Sequence, residues 1–376
     1  VVSLSDSVEG LFAQMKNAID NRTKIKEYRE KGMKVIGTLC NNVPEEVIHS
    51  TGAVPVRVFG NYGSTPNASS VMPQWTCYYA RNVMEAGLRG ETEFLDGIVS
   101  TTSDDTKIHL FSLYRFYLNP EFSYMVQYPF SRDEKSRRFF IRELERFSSF
   151  LARFTGFETD TSSLKKSIET YNNFRKVCTR LERLRSEDRV KVSASEWMLI
   201  MLSSMHMLKE DFNRIAEELY GLLSEREGNG DYILRVHVSG TDFYSSELLK
   251  ILENYGIAIV SDDFCTSTGY YNGIVNRANL EGIADRYLYS TACVMTSASN
   301  ELSVLERVKF IRDRIKASRA EAVIVFKDRG CEVCGHQCPA IIDELDLPVL
   351  TIDLDFPLSK AQIEGRIEAF VESHGR

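Results

Sequence analysis

No stretch of this 376-residue chain approaches the roughly 20 uninterrupted apolar residues that a membrane helix needs, so a membrane partner is not expected. A Walker A sequence is also missing, as is any G-x-G-x-x-G, so ATP hydrolysis by this chain is not expected and the standard dinucleotide fingerprint is absent. Nor is there a surplus of basic residues: 46 Lys and Arg face 53 Asp and Glu, for a net charge of −7. Nucleic acid is therefore not an expected partner. The opening "VVSLSDSVEGLFAQMKNAID" is amphipathic and lacks the charged-then-apolar order of a signal peptide, so a cytoplasmic location is expected. Internal repeats of short period and low-complexity tracts are absent too.

What the chain does have is cysteine, eight in all, three of them within "DRGCEVCGHQCPA" as Cys331, Cys334 and Cys338. Three thiols this close admit a disulfide-bonded loop, a zinc site or an iron–sulfur cluster. A reducing cytosol and a core large enough to need no cross-links argue against the disulfide.

The rhythm of the chain predicts an α/β fold: two doubly wound parallel-sheet lobes with a helical middle segment. In residues 1–130, "MKVIGTLC", "VPVRVFG", "FLDGIVSTT" and "FSYMVQYP" read as strands with helices between them. Residues 131–228 carry no strand pattern. There Phe140, Leu144, Phe147, Leu151 and Phe154 recur at helical spacing, and "SRDE" (Ser131, Glu134) and "SASE" (Ser193, Glu196) read as capping boxes. Beyond the turn-rich "REGNGD", residues 229–376 offer five more strand candidates: "YILRVHVSG", "IAIVSDD", "RYLYST", "AVIVFK" and "PVLTIDLD".

In open parallel sheets ligands bind beyond the carboxyl ends of the strands, and that is where the cysteines fall. Cys40 ends the first strand, Cys265 follows "IAIVSDD", Cys293 follows "RYLYST", and Cys331, Cys334 and Cys338 are expected in the loop before a helix starting at Pro339. Cys77, in "PQWTCYYARNV", is expected at a helix start, where the helix dipole favours a thiolate. Cys178 stands apart, beside the helical stripe Tyr171, Phe174, Val177 and Leu181, and reads as core. Structural zinc usually takes paired C-x2-C units or Cys/His pairs, whereas these thiols come from distant segments and only His336 lies near. The spacing thus favours iron–sulfur over zinc without excluding zinc.

Weaker signals read mostly as ordinary structure. "HVSGTDFYSSELL" is a strand, a glycine turn and a helix start that could cradle an anion. His206, Met201, Met205 and Met207 read as packing. The basic run "RKVCTRLERLRSEDRVK" reads as a solvated helix face, with docking of an acidic partner or coenzyme A phosphates as the minor alternative.

Three stretches, "KVIGTLCNNVPEEVIHSTGAVPVRVFG", "PQWTCYYARNVMEAGLRGETEFLDGIV" and "PVLTIDLDFPLSKAQIEGRIEAFVE", resemble the 2-hydroxyacyl-CoA dehydratase and benzoyl-CoA reductase family, above all its β-type subunits. The resemblance runs over nearly the whole chain. It implies α/β lobes around a [4Fe-4S] cluster, a homologous partner subunit or a homodimer, an acyl-CoA substrate, and an ATP-hydrolysing activator that injects low-potential electrons. The thioester carbonyl would then become a ketyl radical anion that expels a hydroxyl, or the electron would enter an aromatic ring. Carried over residue by residue, Cys77 and Cys331 match cluster cysteines. Where the family has a Cys-Asp pair after "FLDGIV", this chain has Asp104 and Asp105, so either Asp104 supplies an oxygen ligand or another thiol completes the cluster. The similarity extends to double-cubane cluster proteins, which hold two sulfide-linked cubanes, an [8Fe-9S] cluster, with six cysteines. Cys265 and Cys293 match their positions, Cys334 and Cys338 could replace the two that are absent, and Cys40 stands in reserve.

The expected function is an iron–sulfur subunit of such a dehydratase or reductase. The alternatives are an ATP-dependent double-cubane reductase of small molecules and a non-catalytic iron–sulfur or zinc-binding relative. Catalytic residues are not assigned: Glu45, Glu46 and Asp105 lie in family-like stretches, and a solvated surface position is the expectation for each.

Overall fold

The structure is a computed structural model that describes residues 4–157, 160–290, 293, 301–354 and 358–375. Two helices, α1 (Leu4–Asp20) and α2 (Thr23–Glu30), precede the first sheet. Then follow β1 (Val35–Thr38), α3 (Glu45–Ser50), β2 (Val54–Arg57), α4 (Ala68–Val71), α5 (Tyr78–Leu88), β3 (Gly97–Thr101), α6 (Asp105–Leu118) and β4 (Phe122–Val126). The helical layer is α7 (Glu134–Thr155), α8 (Thr161–Arg183), α9 (Ala194–Ser204) and α10 (Lys209–Ser224). The second sheet and its helices are β5 (Leu234–Ser239), α11 (Ser246–Asn254), β6 (Ile257–Asp262), α12 (Thr268–Tyr271), α13 (Leu280–Asp285), α14 (Glu301–Ser318), β7 (Ala322–Asp328), α15 (Glu332–Glu344), β8 (Val349–Leu354) and α16 (Lys360–His374).

Both sheets are four-stranded and wholly parallel, with orders β2-β1-β3-β4 and β6-β5-β7-β8. The α/β fold with two lobes is thus as expected. Strands buried on both faces need continuous apolar runs, and every residue of β1, β2 and β3 is buried. In each sheet the chain leaves its first strand to one side and then crosses back to the other. A switch point therefore opens at the carboxyl ends of β1 and β3, and another at those of β5 and β7.

The helical layer welds the lobes together. The apolar stripe of α7, Phe140, Leu144, Phe147 and Leu151, packs against Ile36, Val99 and Val126 of the first sheet. On the other side Met198 of α9 joins the core of the second sheet with Leu248, Leu252 and Ile259. Between them α1 packs on α9 and α10, and Cys178 of α8 is buried there with Phe174, Leu181 and Trp197. Met201, Met205 and Met207 fill the same core. Among the described residues no helix is long and apolar enough to cross a membrane.

Local expectations were met in part. Ser193 and Glu196 form the capping box of α9, each bonded to the other's backbone N–H. The α7 cap is Asp133, whose carboxylate accepts from Ser136 N at 2.8 Å, while Ser131 only supports Asp133 through a 2.9 Å hydrogen bond. The described part of "RYLYST" is not a strand: Arg286–Ser290 winds on from α13 as a π-helical turn, with Tyr287 and Leu288 both in the first lobe's core instead of on opposite faces, and Thr291 lies outside the described residues. Nor does the last cysteine helix begin at Pro339. It starts with Cys331 as N-cap, and Pro339 lies inside it, where the proline cannot donate the helix hydrogen bond to the Gly335 carbonyl.

His237 shows how the second core treats a polar group. It sits fully buried at the bulge where β5 slips against β6, its Nδ1 2.8 Å from Ser261 Oγ. Burial drives its pKa down to about 4, so it folds neutral. An unfolded imidazole takes up its proton near pH 6.5, so unfolding binds one more proton between about pH 6.5 and 4 and stability falls as pH falls through that window. The contribution is about 3 kcal/mol, complete above the window and lost by its lower end. Urea unfolding across this range is expected to show a pH slope in the wild type that His237→Gln reduces by close to one proton.

Candidate functional site

The two switch points face one another, and the loops leaving them carry the cysteines. From the first sheet come Cys40, two residues past β1, and Cys77, the N-cap of α5. From the second come Cys265, three residues past β6, and the α15 series. Cys331, Cys334 and Cys338 are spaced three and four apart, so they form one stripe along α15 and its cap. The expectation that all three share a loop is corrected: Cys334 and Cys338 are helical and buried. Cys293 is buried as well, but it follows the π-helical turn and not a strand.

The thiols fall into two groups. Cys40, Cys265 and Cys293 form the inner one. Asn42 bridges it, its backbone N–H 3.4 Å from Cys40 Sγ and its Nδ2 donating to Cys293 Sγ at 3.2 Å, while Ser103 Oγ lies 3.4 Å from Cys40 Sγ. Cys265 lies within electrostatic reach of both Cys293 and Cys40. The outer group is Cys77 with the α15 stripe. Cys331 and Cys334 are hydrogen-bonded to each other, and Cys77 and Cys338 both lie near Cys331.

Backbone contact sets the outer group. Gly330 adopts φ +88°, and a Cβ there would stand 2.4 Å from the Trp75 carbonyl oxygen, so only glycine lets the Cys77 and Cys331 loops meet. Asp328 ties the same two loops by accepting from Tyr78 N at 3.3 Å, in the first turn of α5. Burial lifts its carboxyl to about 7.

Three cations and their counter-charges surround the thiols. Asp242, on the turn after β5, accepts from Arg57 at 2.6 Å and from Lys107 at 2.7 Å, all three side chains being at most 5% exposed. Burial acts to raise the Asp242 carboxyl, but Lys107 and Arg57 together hold it below its ordinary range. Arg57 and Lys107 both lie near Cys40. Arg307 pairs with Asp263 at 2.9 Å and reaches electrostatically to Cys334 and Cys265, one thiol of each group. Beside them Tyr62 stacks on Tyr244 at 4.2 Å and on Tyr78 at 5.7 Å, closing the lobe junction against water.

The expected thiolate character of Cys77 is corrected. Its pKa is raised well above the usual value because burial, with Asp328 and Cys331 beside it, outweighs the helix N-terminus. Burial does the same to Cys265, and the hydrogen bond with Cys334 followed by burial does it to Cys331. Thiols held neutral in this way become ligands when a bound cation takes the place of the protons. Asp104 is engaged elsewhere: it caps α6 by accepting from Thr106 N at 3.0 Å and stands 3.7 Å from Lys107. Among the described residues no three Cys, His, Asp or Glu side chains already enclose a metal position. What suits a soft metal is the donor set, seven thiols at one junction with cations beside them.

Comparison with known proteins narrows the reading. Residues 40–374 match the family described as 2-hydroxyglutaryl-CoA dehydratase, D-component. The chain belongs to that family. It is 25% identical to the (R)-phenyllactyl-CoA dehydratase beta subunit of Clostridium sporogenes, over 96% of this chain and 98% of that one. It is 23% identical to the beta subunit of the (R)-2-hydroxyglutaryl-CoA dehydratase of Acidaminococcus fermentans over 94% and 95% of the two chains. It is also 22% identical to one of the subunits of the benzoyl-CoA reductase of Thauera aromatica, over 82% of each chain. Enzyme components of dehydratase and reductase systems are thus its relatives.

Within this dehydratase-family chain, Glu45 and Glu46 are buried and not surface carboxylates. Glu45 accepts from Tyr270 at 2.6 Å and Tyr171 at 3.2 Å, and Glu46 pairs with Arg175. Asp105 is exposed, as expected. Arg57, Lys107, Asp242 and Arg307 were not singled out from sequence. The one available signal was Arg57 itself, a charge at the end of the apolar run "VPVRV". Replacing Asp242 by Asn would leave Arg57 and Lys107 buried beside a neutral amide, with only the more distant Asp104 near Lys107. Unfolding in guanidinium is expected to show a loss of about 3–5 kcal/mol for Asp242→Asn.

Proposed function

We propose that this protein is an iron–sulfur subunit of a radical 2-hydroxyacyl-CoA dehydratase or benzoyl-CoA reductase type enzyme. It works in the cytoplasm beside a homologous partner subunit and receives low-potential electrons from an ATP-hydrolysing activator protein. The observation that carries this reading is the convergence of seven thiols on the facing switch points of a chain from this family.

Cys77 and Cys331 hold the cluster from the two lobes, and a further thiol completes the set, because Asp104 is occupied in capping α6. When bound, the cluster supplies single electrons at low potential. The chain's own residues do the rest. Arg57, Lys107 and Arg307 offset the negative charge of thiolates and sulfide, and their partners Asp242 and Asp263 fix them in place. The Tyr62, Tyr78 and Tyr244 stack keeps water from that side of the junction. A cavity of 690 Å³ opens beside Cys331, lined by Lys327, Arg329 and Arg366 and by the carboxyl groups of Asp328 and Asp353, the latter paired with Lys327 at 3.5 Å. The three cations outnumber the two carboxyls, which suits an anionic substrate such as an acyl-CoA thioester.

A second reading has an observation of its own. The division into an inner and an outer thiol group suits a double-cubane reductase, with Cys77, Cys265, Cys293, Cys331, Cys334 and Cys338 as ligands and Cys40 at hand. Iron and acid-labile sulfide per chain, on protein purified without oxygen, separate the two: about four irons mark a single cubane and about eight a double one. Zinc without sulfide would overturn both. Cys77→Ala and Cys331→Ala are expected to lose most of the iron and the electron paramagnetic resonance of the dithionite-reduced cluster, whereas Cys178→Ala keeps both. Full iron in the Cys331 variant would remove that residue from the ligand set.

A further inference from the structure

Apart from the two thiol groups, a groove of 780 Å³ that none of the eight cysteines lines lies between α8, α10 and the segment after α12. That volume is within the range of about 300–1,000 Å³ typical of small-molecule sites. Along one wall Lys176, Arg180 and Arg183 follow each other at four- and three-residue spacing on α8. At ~1.5 Å rise per residue this ladder is about 10 Å long. Arg180 is paired with Glu217, but among the described residues Lys176 and Arg183 have no acidic partner. The opposite wall is apolar, formed by Tyr271 and the 43% exposed Ile274.

The floor supplies an independent observation. Arg175, 3% exposed, lines the groove, and its Nε has no hydrogen-bond partner. Arg286, 2% exposed, lines an adjoining pocket of 360 Å³ that shares Ile274. Both guanidiniums share a single buried carboxylate, Glu46, and repel one another. The hydrogen bonds of Arg286 go to the backbone carbonyls of Tyr270, Asn272 and Gly273. The nearby Glu45 does not balance them, being taken by Lys209 at 3.4 Å. Two permanently charged groups against one carboxylate leave a buried positive charge, beneath a rim that adds two unpaired cations.

We propose that this groove binds a phosphorylated organic anion of nucleotide size, its phosphates along Lys176 and Arg183 above Arg175 and its apolar part against Tyr271 and Ile274. A ladder about 10 Å long suits several phosphate charges better than one carboxylate. The site is separate from the thiol junction, and the proposal does not depend on the iron–sulfur assignment.

Isothermal titration calorimetry of the full chain at low ionic strength tests it, with ADP and inorganic pyrophosphate as probes. ADP is expected to bind more tightly than pyrophosphate, and its affinity to fall with added salt. The double variant Lys176→Glu/Arg183→Glu, both exposed positions, is expected to weaken ADP binding by about tenfold or more. Lys165→Glu/Lys166→Glu changes the net charge equally, outside the groove on the same helix, and should leave binding intact. Absence of heat with either probe, equal loss in the control variant, or unchanged affinity in the groove variant would overturn the assignment.

Discussion

Asp242 stands between Arg57 and Lys107, and the relation of the two lobes depends on that contact. The carboxylate comes from the second lobe and both cations from the first, so one buried triad joins elements more than a hundred residues apart. Removing charges from water is costly, and the cost is recovered only when each has a partner at good geometry. The triad therefore permits one relative placement of the lobes, and that placement brings the cysteine loops face to face. The same cations stand beside Cys40, which makes the structural lock also the electrostatic surround of the thiols.

A second constraint acts on the backbone. Gly330 brings the Cys331 loop against the Trp75 carbonyl, and the Asp328 carboxylate bridges from that strand end to the start of α5. Cys77 and Cys331 are thus placed by the meeting of two loops, one from each sheet. Neither lobe alone carries the outer thiol group. The helical layer completes the arrangement from behind, with α7 and α8 in the core of the first lobe and α9 in that of the second.

Taken together, the architecture separates two tasks. Charge and soft sulfur are concentrated in the junction, under cover of stacked tyrosines, while an excess of positive charge lies apart from it around Arg175 and Arg286. Glu45 and Glu46 lie between these regions: they open α3, five residues past Cys40, and they hold the tyrosines and cations of the helical layer.

Much of this was legible in the chain itself. The observed strands are short β-branched or aromatic runs bounded by turns, and the edge strands Phe122–Val126 and Val349–Leu354 also alternate in burial. The Ser193 capping box, the helical stripe of α7, the core position of Cys178 and the helix start after Cys77 are all local patterns, decided by neighbours within a few residues. "RYLYST" misled because a short aromatic run looks alike in a strand and in a buried helical turn. Pro339 misled because a proline marks a helix start only by preference, and here the helix begins seven residues earlier at Glu332 and runs through it. The sequence by itself determined the two parallel sheets, the helical layer and the gathering of cysteines at strand ends, since these follow from period and punctuation. Only the tertiary structure decided which thiols neighbour one another, that burial raises the pKa of Cys77 and Cys265, and that Arg57, Lys107 and Asp242 meet. Those facts rest on pairings between distant segments, and no local period records which buried charge will face which.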